Sequence, residues 1–176
     1  IIAYLRLVDN LNDDLAFERI VNVPKRGIGK TTLSKINNIS RINNVSMFDA
    51  AEIFIQQRVL KEKSKINEFI IKVHKWNKIK KDINHIDLAQ IILEDSNYIN
   101  YLEQEEKNSK NPENLNRIEN IREFIESLKD FENLGGFLEH VGLVMENITN
   151  TNKETISLMT MHSAKGLEFD HVFLAG

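Results

Sequence analysis

The sequence predicts a mostly α-helical protein: an all-α unit of roughly 130 residues inserted into the edge pieces of an α/β domain. Three observations predict it. Apolar residues recur at helical spacing from the first residues to about Asn147. The early break in that rhythm, from Asn22 to Gly29, gathers one proline and two glycines into one stretch. After the polar loop Thr149–Asn152 the character changes to two short β-prone segments, Thr155–Met161 and His171–Ala175. They read as buried strands of a sheet whose other strands lie elsewhere. The chain starts without Met and stops at Ala175-Gly176 inside an apolar run, so it is expected to be a segment of a longer protein.

Taken in order, Ile2, Leu5 and Val8 share one helical face, and a second short helix is expected over Asp14–Val21. Past the Pro/Gly break the period resumes with Leu33, Ile36, Ile39 and Ile42, on a helix starting near Thr31. Ser46 followed by Asp49 sets a capping arrangement for a helix through Met47, Ala50, Ala51 and Phe54. The long amphipathic stretch after it keeps Ile66, Phe69, Ile70, Val73 and Trp76 on one side. Shorter helices are expected around Leu88–Leu93 and Tyr98–Glu106. Pro112 suits the first position of a helix whose apolar stripe is Leu115, Ile118, Ile121, Ile125 and Leu128. Gly135-Gly136 is expected to end that segment, with Phe137–Met145 forming the last helix.

Composition narrows the classes. The 176 residues are 41% hydrophobic and 28% charged, which is globular rather than disordered or collagen-like. No apolar run approaches the roughly 20 residues that span a bilayer, so no membrane partner is expected. The absence of cysteine excludes a disulfide scaffold, a thiolate metal site and a cysteine nucleophile, and fits a reducing compartment. His74, His85, His140, His162 and His171 lie too far apart for a short zinc spacing, and no metal is expected. With 23 Ile and 21 Asn against 7 Ala, the bias resembles drift in an AT-rich genome, so single Asn or Lys residues carry little weight. The net charge of -3 hides a basic stretch from Gln56 to Lys81 and an acidic one from Glu94 to Glu132. A uniformly basic nucleic-acid binder is thereby excluded; a local basic face is not.

Gly29-Lys30-Thr31 imitates the end of a phosphate-binding P-loop, but Pro24 stands where the motif needs its first glycine and no strand leads in. The same residues suit another task. Gly27-Ile28-Gly29 before a helix makes a tight turn that leaves amide N–H groups outward, where unsatisfied donors and the helix dipole favour a phosphate. Lys25, Arg26 and Lys30 surround it and would release counterions from a nucleic-acid backbone. A plain helix–turn–helix corner would use the same glycines only to bend. The second candidate is Thr160 to Glu168, between the two β-prone segments, where open α/β sheets place ligands. Thr160, Ser163 and Lys165 can donate to phosphates, Gly166 permits close approach, and Glu168 can accept from ribose hydroxyls. A solvated crossover would carry the same residues. The lysines of Arg58–Lys81 read most simply as the wet face of a helix, with DNA contact as the alternative. Glu103, Glu105 and Glu106 read as a solvated helix end.

Here the residues become familiar. Ile156 to Phe169 (ISLMTMHSAKGLEF) resembles motif V of the UvrD/PcrA/Rep group of superfamily 1 DNA helicases. Tyr4–Val8 with Asp14–Asn22 resembles the segment after motif IV. Arg26-Gly27-Ile28-Gly29 with Thr32-Leu33 is similar to the glycine turn of the inserted 2B subdomain. Tyr101–Glu105 and Asn116–Ile121 also resemble 2B positions, and all four matches come in the family's order. Met161 stands where motif V usually has leucine, and from Arg41 to Glu94 the resemblance is absent.

The resemblance implies residues 1–22 and 154–176 as pieces of the RecA-like motor domain 2A, and 23–153 as the helical 2B subdomain. It implies a bacterial, cytoplasmic, nucleoid-associated DNA-repair or replication enzyme that uses ATP and Mg2+ to move 3′ to 5′ on single-stranded DNA and unwind duplex. Thr160, His162, Ser163 and Lys165 would face the single strand or couple to it, and Gly166 and Glu168 would lie toward the ATP. Gly27, Ile28, Gly29 and Thr32, with Lys25, Arg26 and Lys30, would hold the duplex. Partners would be the single strand and the duplex junction, the rest of the motor in cis, and repair proteins. No catalytic residue of ATP hydrolysis is in the chain, since the P-loop lysine, magnesium-binding acids and arginine fingers are absent from it. The chain alone is expected not to hydrolyse ATP or to hold a nucleotide tightly. Two other readings remain: a stand-alone helix-hairpin-helix DNA-binding module, and a protein-interaction or regulatory domain without DNA binding.

Overall fold

A computed structural model describes residues 1–57, 62–108, 116–149 and 171–174. The described residues form α-helices joined by short turns, with no strand among them. In chain order they are α1 (Ile2–Asp9), α2 (Asp14–Ile20), α3 (Lys30–Asn43), α4 (Met47–Gln57), α5 (Glu62–Ile79), α6 (His85–Asp95), α7 (Tyr98–Asn108), α8 (Arg117–Ser127) and α9 (Leu134–Thr149). A 3₁₀ turn, Leu128–Asp130, continues α8. The chain divides into two compact units, Ile1–Gly142 and Leu143–Gly176.

In the first unit, α5 is the central strut because its predicted apolar face is buried along its length. Ile66, Phe69, Ile70, Val73 and Trp76 are all buried, Trp76 completely. Around that face the aromatic rings meet edge to face, the arrangement their quadrupoles favour. Tyr4 of α1 lies 5.8 Å from Trp76, and Phe17 of α2 lies 5.9 Å from Phe69 and 6.4 Å from Phe48 of α4. Deleting a buried ring of this kind costs about 3–5 kcal/mol, so this cluster fixes how α1, α2, α4 and α5 sit together. A second cluster joins α8 to α9 through Phe124, Phe131 and Phe137. His85 ties α6 to that end, its buried Nε2 lying 2.8 Å from the Leu128 carbonyl oxygen.

The basic face of α5 is less free than its charge suggests. Lys72 and Lys75 reach the last residue of α6, Asp95, where Lys75 Nζ and Trp76 Nε1 both donate to Oδ2. Lys80 and Asn77 donate to the Asp9 and Val8 carbonyls at the end of α1. Cations at helix C-termini satisfy carbonyls that have no partner within the helix and complement the dipole. These cations therefore link helices.

Two expectations are corrected. Gly135-Gly136 do not end a segment; they form the first turn of α9, because Asn133 Oδ1 accepts the Gly136 N–H at 3.0 Å and caps the helix there. His171–Leu174, expected in a strand, have no regular secondary structure. A strand needs a neighbour for its N–H and C=O groups, and none lies among the described residues. The expected Thr155–Met161 strand, Pro112 and Leu115 lie outside the described residues. Residues 1–22 pack into the same compact unit as the helices that follow, through Tyr4, Phe17 and the Lys80–Asp9 pair.

Candidate nucleic-acid interface

The turn between α2 and α3 is built by two side chains. Asn22 Oδ1 accepts the Arg26 N–H at 2.9 Å and the Ile28 N–H at 3.2 Å, so one carbonyl shapes the loop from inside. Arg26 Nη1 donates to the carbonyls of Ile20, Val21 and Pro24, at 2.7, 3.2 and 3.3 Å. Its Nη2 donates to the Tyr4 hydroxyl, and its guanidinium lies 5.0 Å from the centre of the Phe69 ring. Tyr4 in turn donates to the Val23 carbonyl at 2.6 Å. Burial raises the Tyr4 hydroxyl above its ordinary pKa although Arg26 pulls the other way, so the phenol keeps the proton it donates. The Val23–Pro24 peptide is cis.

The two glycines of the turn differ. Gly27 has φ +71°, a left-handed conformation that costs an L-residue about 1–2 kcal/mol. Gly29 has φ -85° and ψ 175°, which any residue can adopt, and a Cβ there would meet nothing within 4 Å. The fold does not require glycine at that position. Gly29 is also the N-cap of α3 and supplies no side chain to cap it. Among the described residues no acceptor meets the N–H groups of Gly29, Lys30 and Thr31. This is an open helix start of the kind that receives anions.

The predicted site residues divide accordingly. Lys25 and Lys30 are exposed; Lys25 has only a loose 3.9 Å pairing with Glu105 and an 80% exposed side chain. Ile28 and Thr32 are buried, and their N–H groups are bonded to Asn22 Oδ1 and the Gly29 carbonyl. Arg26, counted with the duplex-holding cations, has its guanidinium turned into the protein. Lys65 of α5, in the basic stretch for which DNA contact was the alternative, was not connected with the turn; its Nζ lies 2.8 Å from where a Gly27 Cβ would be. It makes no hydrogen bond or ion pair among the described residues. Only tertiary packing brings it to the turn, so a local motif could not signal it. Asn22 was legible, as an Asx residue before a Pro/Gly stretch.

Beside the turn, α2 and α3 flank an open groove lined by Glu18, Lys30, Ser34, Asn37, Asn38 and Arg41. Thr160, His162, Ser163, Lys165, Gly166 and Glu168 lie outside the described residues. Among the described residues no cluster of three carboxylates or histidines could hold a metal ion, and no helix is long and apolar enough to cross a membrane.

Fold and turn together define a helical module with a helix–turn–helix corner whose second helix begins uncapped beside exposed cations. The chain belongs to the UvrD-like helicase C-terminal domain family, whose model matches residues 1–176. It is 39% identical over 180 residues to DNA helicase II of Rickettsia typhi, a match covering 100% of this chain and 27% of that protein. A probable DNA helicase II homolog of Rickettsia conorii matches at the same identity and coverage. The ATP-dependent DNA helicase PcrA of Staphylococcus aureus (strain Mu50) is 36% identical over 188 residues, covering 100% of this chain and 25% of the relative. The chain thus spans about a quarter of the length of these curated relatives.

Proposed function

We propose that this chain is the part of an ATP-dependent 3′-to-5′ DNA helicase that holds duplex DNA ahead of the fork, through phosphates seated on the α2–α3 turn. The observation that carries the reading is the open start of α3. Three successive N–H donors there have no acceptor among the described residues, Lys25 and Lys30 are exposed next to them in the sequence, and the Lys65 ammonium lies against Gly27 of the same turn. Such a site recognises backbone and not sequence, which is what an enzyme that must unwind any sequence needs. Gly29, with open space around it, lets a phosphate approach the backbone.

In this reading residues 1–22 and 154–176 belong to motor domain 2A and 23–153 to 2B. Thr160, His162, Ser163 and Lys165 face the single strand, and Gly166 and Glu168 lie toward the ATP. ATP and Mg2+ chemistry is supplied by residues of the motor that this sequence does not contain. The further partners are repair proteins, and the place of action is the cytoplasm, at the nucleoid.

The test is fluorescence anisotropy of a labelled duplex–single-strand junction titrated with this chain at several salt concentrations. Affinity should fall as salt rises, with a slope of roughly 0.9 per phosphate contacted. Joint replacement of Lys25, Lys30 and Lys65 by Gln should flatten that slope. Salt-independent binding, or none, would remove the duplex-holding role from this chain.

A further inference from the structure

We infer that Arg26 is a positioning residue, which sets the conformation of the phosphate-holding turn without touching the phosphates. The inference rests on the reading above and assigns a different task to a cation inside it. Arg26 is flanked in sequence by Lys25 and the glycine turn, the usual signature of a phosphate contact.

Its geometry points inward. Nη1 faces three carbonyls, of which Ile20 and Val21 terminate α2, so the guanidinium acts as a C-terminal cap on that helix. Nη2 is committed to the Tyr4 hydroxyl, and the planar face lies over Phe69 of α5. Tyr4 is 2% exposed and belongs to α1. One side chain therefore ties the turn to α1, α2 and α5 together. The Arg26 backbone N–H is held as well, by Asn22 Oδ1, which also holds the Ile28 N–H. Gly27 lies between these two anchored residues in its left-handed conformation, with Lys65 against it. Releasing the guanidinium would loosen the loop that delivers Gly29 and the open donors of α3. An ammonium cannot substitute: Lys offers three donors at a single point, whereas Arg presents a planar fork that reaches carbonyls and hydroxyl at once.

The test compares Arg26→Lys and Tyr4→Phe with the unaltered chain. Each is followed by junction affinity over a salt series, by amide hydrogen exchange at positions 26 and 28, and by helicity from circular dichroism. Arg26→Lys should weaken junction binding about tenfold, or about 1.4 kcal/mol, with the salt slope unchanged. Exchange at the position 26 and 28 amides should accelerate while overall helicity is retained. Tyr4→Phe should act in the same direction but less, although its buried ring cannot reach DNA. Lys30→Gln, as the contrast, should lower the slope by roughly 0.9. A slope lowered in Arg26→Lys, or lowered by Arg26→Gln as much as by Lys30→Gln, would make Arg26 a phosphate contact and overturn the inference. Unchanged affinity and unchanged exchange in Arg26→Lys would reduce it to an ordinary packing residue and also overturn it. If the unaltered chain binds no junction, the duplex-holding reading falls. Exchange then decides Arg26 alone: acceleration supports the positioning role and no acceleration overturns it.

Discussion

The starts of α6 and α3 present the same chemical problem, a set of N–H groups with no acceptor inside the helix, and handle it in opposite ways. At α6, Asn84 caps the helix by accepting the Asp87 N–H at 2.8 Å, and Asp87 adds a negative charge in the first turn. Asp13 and Ser46 do the same for α2 and α4. At α3 the cap is Gly29, the first turn has no acid, and exposed lysines stand around it. A side-chain cap and an acid in the first turn add stability and disfavour an anion at that end; a glycine cap with no acid gives up that stability and does not repel one. The fold does not impose the difference, because the open position would accept a capping side chain without a clash.

The comparison can be broken most forcefully at Gly27. Gly27→Ala places a β-carbon on a left-handed backbone and should cost about 1–2 kcal/mol in chemical denaturation. The Lys65 ammonium must also move aside, so junction affinity should fall in the same variant. Gly29→Asp sharpens it further, because stability and binding should move in opposite directions. The new carboxylate can cap α3 but repels a phosphate, so junction affinity should drop about tenfold or more with the unfolding midpoint unchanged or raised. Asn84→Ala is the mirror experiment: a loss of about 1 kcal/mol in unfolding free energy, and unaltered junction binding. The smallest effect is expected from Gly29→Ser, which should stabilise by only about a few tenths of a kcal/mol, read as a higher midpoint in urea.

The other end of α6 gives a prediction in pH. Burial raises the Asp95 carboxyl pKa, but hydrogen bonds from Lys75 and Trp76 outweigh it and hold it below its ordinary value. A carboxylate depressed in the folded state contributes stability above its unfolded pKa, about 3.9, and loses it as pH falls through the lower folded value. Melting followed from pH 6 down to pH 2 should show the unaltered chain less stable in acid. Asp95→Asn should be less stable at neutral pH, and its curve should converge with the other at the acid end.

Much of the fold was legible. The buried face of α5 was read in full, because apolar residues three and four apart must share a side of a helix whatever packs on it. Ser46 was read as a start signal for the same local reason. The α9 boundary was misread because Gly-Gly looks like a breaker when the Asn133 cap before it is overlooked. The motif resemblance found the turn, but the list of contacts mixed residues facing out with residues facing in. Lys25 and Arg26 are adjacent basic residues and look equivalent in a sequence; one is exposed and the other is committed to three carbonyls, a phenol and a ring.

What the sequence determined by itself was therefore local. It set which segments are helical, which faces are apolar, where the chain turns, and to which family it belongs, since each depends on neighbours within a few residues or on a linear motif. The tertiary structure decided which charges are available. Lys65 reaches Gly27 only because α5 packs beside the α2–α3 turn, and Lys75 and Lys80 are paired because α6 and α1 end against α5. A charge's role depends on the acceptors within about 3–4 Å, and distances of that kind between remote segments are set by packing.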